Sequence, residues 1–151
     1  MKTVYIGADH AGFKLKQELK RFLSQQGYKV MDVGAFELDP KDDYPKYAYA
    51  VAKPVSQGKG QGILVCGSAE GICIAANKIK GIRAVPVWTL RNARLSREHN
   101  DANILCLSGW ELSLSSAKKI VKAWLETEFS GEERHKRRIE EIKRIENGKT
   151  L

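Results

Sequence analysis

Cys66 is the residue around which this chain can be read as chemistry. It closes a short apolar run, Ile63 to Val65, and is followed by a turn containing Gly67, Ser68 and Gly71 and then by the small and apolar residues Ile72 to Ala76. The pattern predicts a buried strand, a turn whose backbone can approach a ligand, and a buried helix. A thiol beside a helix N-terminus is expected to have its anion favoured, which makes Cys66 a base or nucleophile. The competing reading is an inert buried thiol, which Cys73 in the helix and Cys106 in another apolar run fit well.

Three further groups carry chemistry. Asp9 and His10 follow a first apolar stretch and either hold substrate oxygens or cap the next helix. His99, in His99-Asn100-Asp101, is the best general acid of the chain, because an imidazole exchanges protons near neutrality; a plain helix end is the alternative. Arg134 and Arg138 stand one helical turn apart and can clamp a phosphate dianion, or they form a solvated face paired to Glu132 and Glu141. Other chemistries fail on spacing. A Cys-x5-Arg phosphatase loop needs Arg where Ile72 stands, no Lys-Ser or Lys-Thr follows Gly71, and Gly7 to Gly12 is not a dinucleotide fingerprint. No Cys-x-x-Cys pair occurs and the three histidines are scattered, so no metal is expected.

These groups need elements to position them. Thr3 to Ala8 reads as a strand delivering Asp9 and His10. Phe13, Leu15, Leu19, Phe22 and Leu23 repeat at helical spacing, with Lys14, Lys16, Lys20 and Arg21 expected on the outer side and Gly27 as the stop. Strands are expected over 28–33, 82–87 and 102–107, with Pro86 tolerated only at a strand end. Helices are expected over 44–56, with Pro45 in the first turn, over 90–98, over 114–125 and over 132–145. Strands alternating with helices predict one α/β domain over 1–151. It is a Rossmann-like three-layer sandwich with a five-stranded parallel sheet, whose ligands bind at the C-terminal edge of the strands. Asp9, His10 and Cys66 fall at that edge. His99 precedes a strand and must reach the edge differently, from a neighbouring subunit for instance.

The 151 residues suffice for a core, and neither a membrane-length apolar run nor a signal sequence is apparent, so a soluble cytoplasmic protein is expected. The formal charge of +8 invites a nucleic-acid reading. Its distribution weakens that reading, since 131–151, the basic helix and tail, carries seven Lys or Arg against five Glu. A basic chain equally suits an anionic small substrate.

Gly7-Ala-Asp-His-Ala-Gly-Phe, Asp43-Tyr-Pro-x-Tyr-Ala, Gly62-Ile-Leu-Val-Cys-Gly-Ser, Ile74-Ala-Ala-Asn-Lys and Leu95-Ser-Arg-Glu-His-Asn-Asp-Ala-Asn together resemble the B-type ribose-5-phosphate isomerases, relatives of the galactose-6-phosphate isomerase subunits. The resemblance implies a cofactor-free aldose-ketose isomerase of a phosphorylated sugar, of the pentose phosphate pathway. Cys66 would be the base, and Ser68 with the amides of Gly67, Ala69, Glu70 and Gly71 would hold the enediolate. His99 would open the ring, Asn100, Asp9 and His10 would bind substrate, and Arg134 and Arg138 would bind phosphate. It also implies a homodimer or tetramer with each site built from two subunits and the C-terminal helix reaching a partner. Ribose 5-phosphate is the first expectation. A four-carbon substrate such as erythrose or erythrulose 4-phosphate, a six-carbon phosphate, or a non-catalytic ligand-binding or nucleic-acid-binding module are the alternatives. Two departures bear on this: Ala69 replaces a glycine of the usual loop, with the charged Glu70 beside it, and Trp110 stands where many members carry a phosphate-contacting Arg.

Overall fold

The computed structural model describes residues 1–151. Five strands, β1 (Thr3–Ala8), β2 (Lys29–Asp32), β3 (Gln61–Cys66), β4 (Ala84–Pro86) and β5 (Ile104–Ser108), form one parallel sheet in the order β2-β1-β3-β5-β4. Six helices intervene or follow: α1 (Phe13–Gln25), α2 (Tyr44–Ser56), α3 (Glu70–Ala76), α4 (Leu90–Asn100), α5 (Leu114–Glu126) and α6 (Glu133–Glu146). The alternation of side chains along a strand sorts the core into two layers. Ile63, Val65, Leu105 and Leu107 face α1, α4 and α5, whereas Leu64, Cys66, Ile104 and Cys106 face α2 and α3. The expected three-layer α/β domain is therefore the one observed.

The chain runs outward to β2 after β1 and in the opposite direction after β3. A topological switch point lies between these two strands, where their C-terminal loops part and leave a crevice. The register pairs Ala8 with Val65, so Asp9 and Cys66 emerge side by side. Gly12 lets the first loop lie across β3, since a Cβ there would run into the Val65 carbonyl.

Three expectations are corrected. Pro86 does end β4 at the sheet edge, but β4 begins later than expected because side chains occupy the backbone groups at its entry: Asn103 Oδ1 accepts from Arg83 N–H at 2.8 Å and Asn77 Oδ1 from Ala84 N–H at 2.8 Å. β5 begins at Ile104, after Ala102 N–H has returned to the end of α4. Helix α4 continues through His99 and Asn100. It is closed by Asp101 in the left-handed region (φ 45°), whose N–H returns to Arg97 O while that of Ala102 returns to Ser96 O. Lys16, expected outside, is fully buried. Its ammonium donates to Asp32 Oδ1 at 2.8 Å and to the Ala35 carbonyl, and Lys20 takes the other Asp32 oxygen at 2.7 Å. Burial lowers the Lys16 pKa and the Asp32 contact opposes that shift.

Helix α6 packs beside its own chain's α4, where His135 stacks on His99; it buries His135 and Ile139 and leaves Ile142 and Ile145 exposed. No helix is long and apolar enough to cross a membrane.

Lys16 pins the end of β2 and the start of the loop beyond it. Lys16→Met keeps the volume and abandons Asp32 and the Ala35 carbonyl, with an expected loss of about 3 kcal/mol in urea unfolding. Lys20→Met, at the half-exposed cation on the same carboxylate, is expected to cost under ~1 kcal/mol.

Candidate active site

The crevice at the switch point is an open cleft of about 450 Å³ lined by Asp9, His10, Ala11, Tyr44, Cys66, Gly67, Ser68, Glu70, Gly71, Ile74 and Trp110. It unites the residues expected after β1 and β3. Cys66 forms its floor, 3% exposed, with its thiol facing the amides of Ile72, Ala69 and Ser68. The turn above it is tight: Ala69 is buried in the left-handed region (φ 71°) and Glu70 N–H donates to Ser68 Oγ at 3.3 Å. The Ser68 hydroxyl proton is therefore free for a ligand oxygen.

Glycine is required at both ends of this turn by what covers it. A Cβ on Gly67 would lie 2.5 Å from the Trp110 ring, and one on Gly71 would lie 2.6 Å from the Tyr44 ring. Two aromatic rings thus flank the loop, and Trp110 is 73% exposed.

Asp9 accepts from Gly12 N–H at 3.1 Å, so it braces the turn into α1 while also lining the cleft. Burial pushes its carboxyl pKa up, and the Gly12 N–H and the neighbouring His10 offset this in part. His10 is held by Asp42, a residue that sequence reasoning missed. Asp42 Oδ1 contacts His10 Nδ1 at 2.8 Å and accepts His10 N–H at 2.9 Å, and Asp42 Oδ2 accepts from Tyr47 Oη–H at 2.9 Å. The Asp42 contact raises the His10 pKa and favours the imidazolium. Desolvation works to raise the Asp42 pKa, yet the bonds from His10 and Tyr47 prevail and leave it lowered. Tyr47 is pushed up to about 12 by burial and by Asp42, so its phenol remains a donor. Asp9, His10 and Asp42 lie close enough together to suggest a cation site, with their ligand atoms within 4.8 Å. The Asp42 oxygens are, however, already bonded to His10 and Tyr47. The signal for these partners lay in the Asp42-Asp43-Tyr44-Pro45-x-Tyr47 run, in which Tyr44 and Tyr47 were legible as a motif without a role.

The expected stabilisation of the Cys66 thiolate is overturned in its net sign. The amides do lower the thiol pKa, but burial outweighs them and the nearby Asp9 charge adds to the rise, so the resting group is a thiol.

The remaining site residues are elsewhere in the chain. His99 and Asn100 end α4, ahead of β5, and so sit at the N-terminal edge of the sheet. Across β5, Ile104 pairs with Gly62 and Ser108 with Cys66, a separation of roughly 13 Å along the strand. His99 packs on His135, and the exposed Arg134 is paired with Glu132 at 2.8 Å. No Lys or Arg lines the Cys66 cleft.

Residues 4–142 match the family model described as Ribose/Galactose Isomerase. The chain belongs to the ribose/galactose isomerase family. It is 45% identical over 147 residues to the ribose-5-phosphate isomerase B of Escherichia coli K12, covering 97% of each chain. It is 44% identical over 140 residues to a probable ribose-5-phosphate isomerase B of Mycoplasma pneumoniae, covering 92% of this chain and 91% of that one. Among solved structures, ribose-5-phosphate isomerase B of Mycoplasma genitalium with bound ribulose-5-phosphate superposes with a TM-score of 0.93 at 41% identity, covering 96% of each chain. The Clostridium thermocellum ribose-5-phosphate isomerase B also gives a TM-score of 0.93, at 44% identity, with 97% and 98% covered. This membership bears out the reading of the fold and of an aldose-ketose isomerase.

The raised Cys66 pKa has a direct readout. Iodoacetamide alkylation, followed at the Cys66 peptide by mass spectrometry, is expected to accelerate with pH with a midpoint above the usual thiol range, since only the thiolate reacts. Asp9→Asn removes a negative neighbour and should move that midpoint to lower pH.

Proposed function

We propose that the chain interconverts ribose 5-phosphate and ribulose 5-phosphate through an enediolate, with Cys66 as the base. The observation that carries this reading is the Cys66 thiol on the floor of the switch-point cleft, beneath loop amides and the Ser68 hydroxyl and beside Asp9 and His10. The similarity to ribose-5-phosphate isomerases B supports the choice of sugar.

The steps balance without a cofactor. The Cys66 thiolate takes the proton from C2 of the open-chain aldose, and the electron pair moves through C1 to its oxygen. The Ser68 hydroxyl and the amides of Gly67, Ala69, Glu70 and Gly71 stabilise that charge. The thiol then returns a proton to C1, while the hydroxyl proton of O2 passes to O1 and leaves the ketose. Asp9 and His10 fix the sugar hydroxyls.

The cleft has two carboxylates, Asp9 and Glu70, and no Lys or Arg, so a phosphate dianion needs cations from outside. His99, Asn100, Arg134 and Arg138 of a second copy fill this need in the proposal. His99 acts as the ring-opening acid, Asn100 as a substrate contact and the two arginines as the phosphate clamp. The proposed active species is accordingly a homodimer or a tetramer of such pairs, with α6 reaching the partner's cleft. The cleft of about 540 Å³ that α6 forms with Ile82, Ala84 and Val85 through Ile142 and Ile145 supplies apolar surface for such a contact.

Cys66→Ala is expected to lose at least ~10²-fold in kcat for ribose 5-phosphate while remaining folded, and to abolish deuterium exchange from solvent into the sugar. The shared site is tested by mixing. Cys66→Ala and His99→Ala proteins, each inactive alone, are expected to recover roughly a quarter of parental activity when subunits exchange at random, because each hybrid dimer has one intact site. A fully active monomer in light scattering would refute the shared site.

Trp110 motivates a second reading. Its exposed ring stands on the cleft wall and contributes no charge, so a shorter four-carbon phosphate could be accommodated under it. With ribose 5-phosphate as substrate, Trp110→Arg supplies a charged hydrogen bond and should lower KM by about tenfold or more with little change in kcat. A turnover panel of four-, five- and six-carbon aldose phosphates decides the matter. A parent that prefers erythrose 4-phosphate would shift the assignment to the shorter sugar.

A further inference from the structure

We propose that His135 is a positioning residue for the ring-opening acid, its buried imidazole serving as the platform that fixes the His99 ring. This rests on the role given to His99 above. The two ring centroids are 4.3 Å apart with planes inclined by 34°, and His135 is 3% exposed whereas His99 is only partly covered. Within the chain no side-chain hydrogen bond orients the His99 imidazole at the last turn of α4, and the stack on His135 is the ring contact that restrains it.

The platform is itself fixed from both sides. Ser130 N–H donates to the Glu98 carbonyl at 3.0 Å, next to His99 on α4, and Ser130 Oγ meets His135 Nδ1 at 2.8 Å. Glu132 N–H donates into the same Oγ at 3.2 Å, so the hydroxyl that meets His135 is itself anchored at the start of α6. The chain Glu98, Ser130, His135, His99 thus closes on itself and ties the entry of α6 to the end of α4. An aliphatic residue would have filled the volume without needing a hydroxyl partner.

The charges facing the pair favour a neutral platform. Burial is the largest cause lowering the His135 pKa; His99, Arg134 and Arg138 act in the same direction, and Glu132 opposes them. A neutral His135 lets His99 gain and lose its proton without a fixed positive charge stacked on it.

The test uses a difference between the two sugars. Ribose 5-phosphate closes a furanose through O4, so its turnover needs ring opening. Ribulose 5-phosphate has its O5 esterified and cannot form a five-membered ring, so deuterium exchange at its C1 reports proton transfer alone. His135→Ala is expected to reduce kcat on ribose 5-phosphate by roughly 10- to 100-fold, as a displaced acid does, while C1 exchange stays within about threefold of the parent. His135→Phe, which keeps an aromatic face, should recover most of the lost turnover. Equal loss in both reactions, or no loss in either, overturns the proposal. If the parent neither isomerises nor exchanges, the proposed function falls and the contact is judged by NMR. A His99 ring signal that shifts in His135→Ala and less in His135→Phe supports the platform, and an unmoved signal overturns it.

Discussion

The seam between β3 and β5 is the constraint on which the site depends. Where these strands end, Gly109 N–H donates to the Cys66 carbonyl at 2.8 Å, Ser108 Oγ–H to the Gly67 carbonyl at 2.6 Å and Trp110 N–H to the same carbonyl at 3.2 Å. The buried Ser108 hydroxyl in turn accepts from Glu111 N–H at 3.0 Å. These bonds fasten the loop after β5 to the last residue of β3 and the first residue of the loop beyond it. They account for the positions of both the thiol and the Trp110 ring, and they leave the remainder of the 67–71 turn to be shaped by the start of α3. Ala69 shows the cost of that shape. A residue with a Cβ in the left-handed region is disfavoured by roughly 1–2 kcal/mol, and here it is retained in a turn whose amides must point at Cys66.

The fold was legible to the extent that period and punctuation report it. Apolar strands, amphipathic helices, Gly27 and Pro45 each fixed an element, and the order of elements fixed the parallel sheet and its ligand edge. The errors at β4 and at Lys16 share one cause, which is that side chains from elsewhere in the chain took over backbone groups or charges. Asn77 and Asn103 displaced the start of β4, and Asp32 with the Ala35 carbonyl drew Lys16 inward from a position that a helical projection leaves in solvent. Asp42 is hidden from sequence reading for the same reason. It stands 32 residues from His10, and its importance arises only when α2 and its leading loop pack beside the end of β1. For Cys66 the local inference was right, since amides do face the sulfur, but the sequence carries no measure of the burial that outweighs them.

The high pKa of Cys66 is consistent with the chemistry it is proposed to perform. The carbon acid of a sugar is weak, so a strongly basic thiolate is a better acceptor than one whose charge is heavily stabilised, provided that enough of it forms. The local field works against its formation, because Asp9 lies nearby and the cleft contains Glu70 but no Lys or Arg. A phosphate dianion entering alone would add two further negative charges and raise the thiol pKa again. Two guanidiniums arriving with it would cancel that addition while excluding water from the floor of the cleft. In such a pairing the arginines do more than grip the phosphate: they keep substrate binding from suppressing the base on which turnover depends. In the proposed pairing the cations that the acidic cleft lacks are those of α6, whose Arg134 and Arg138 are exposed.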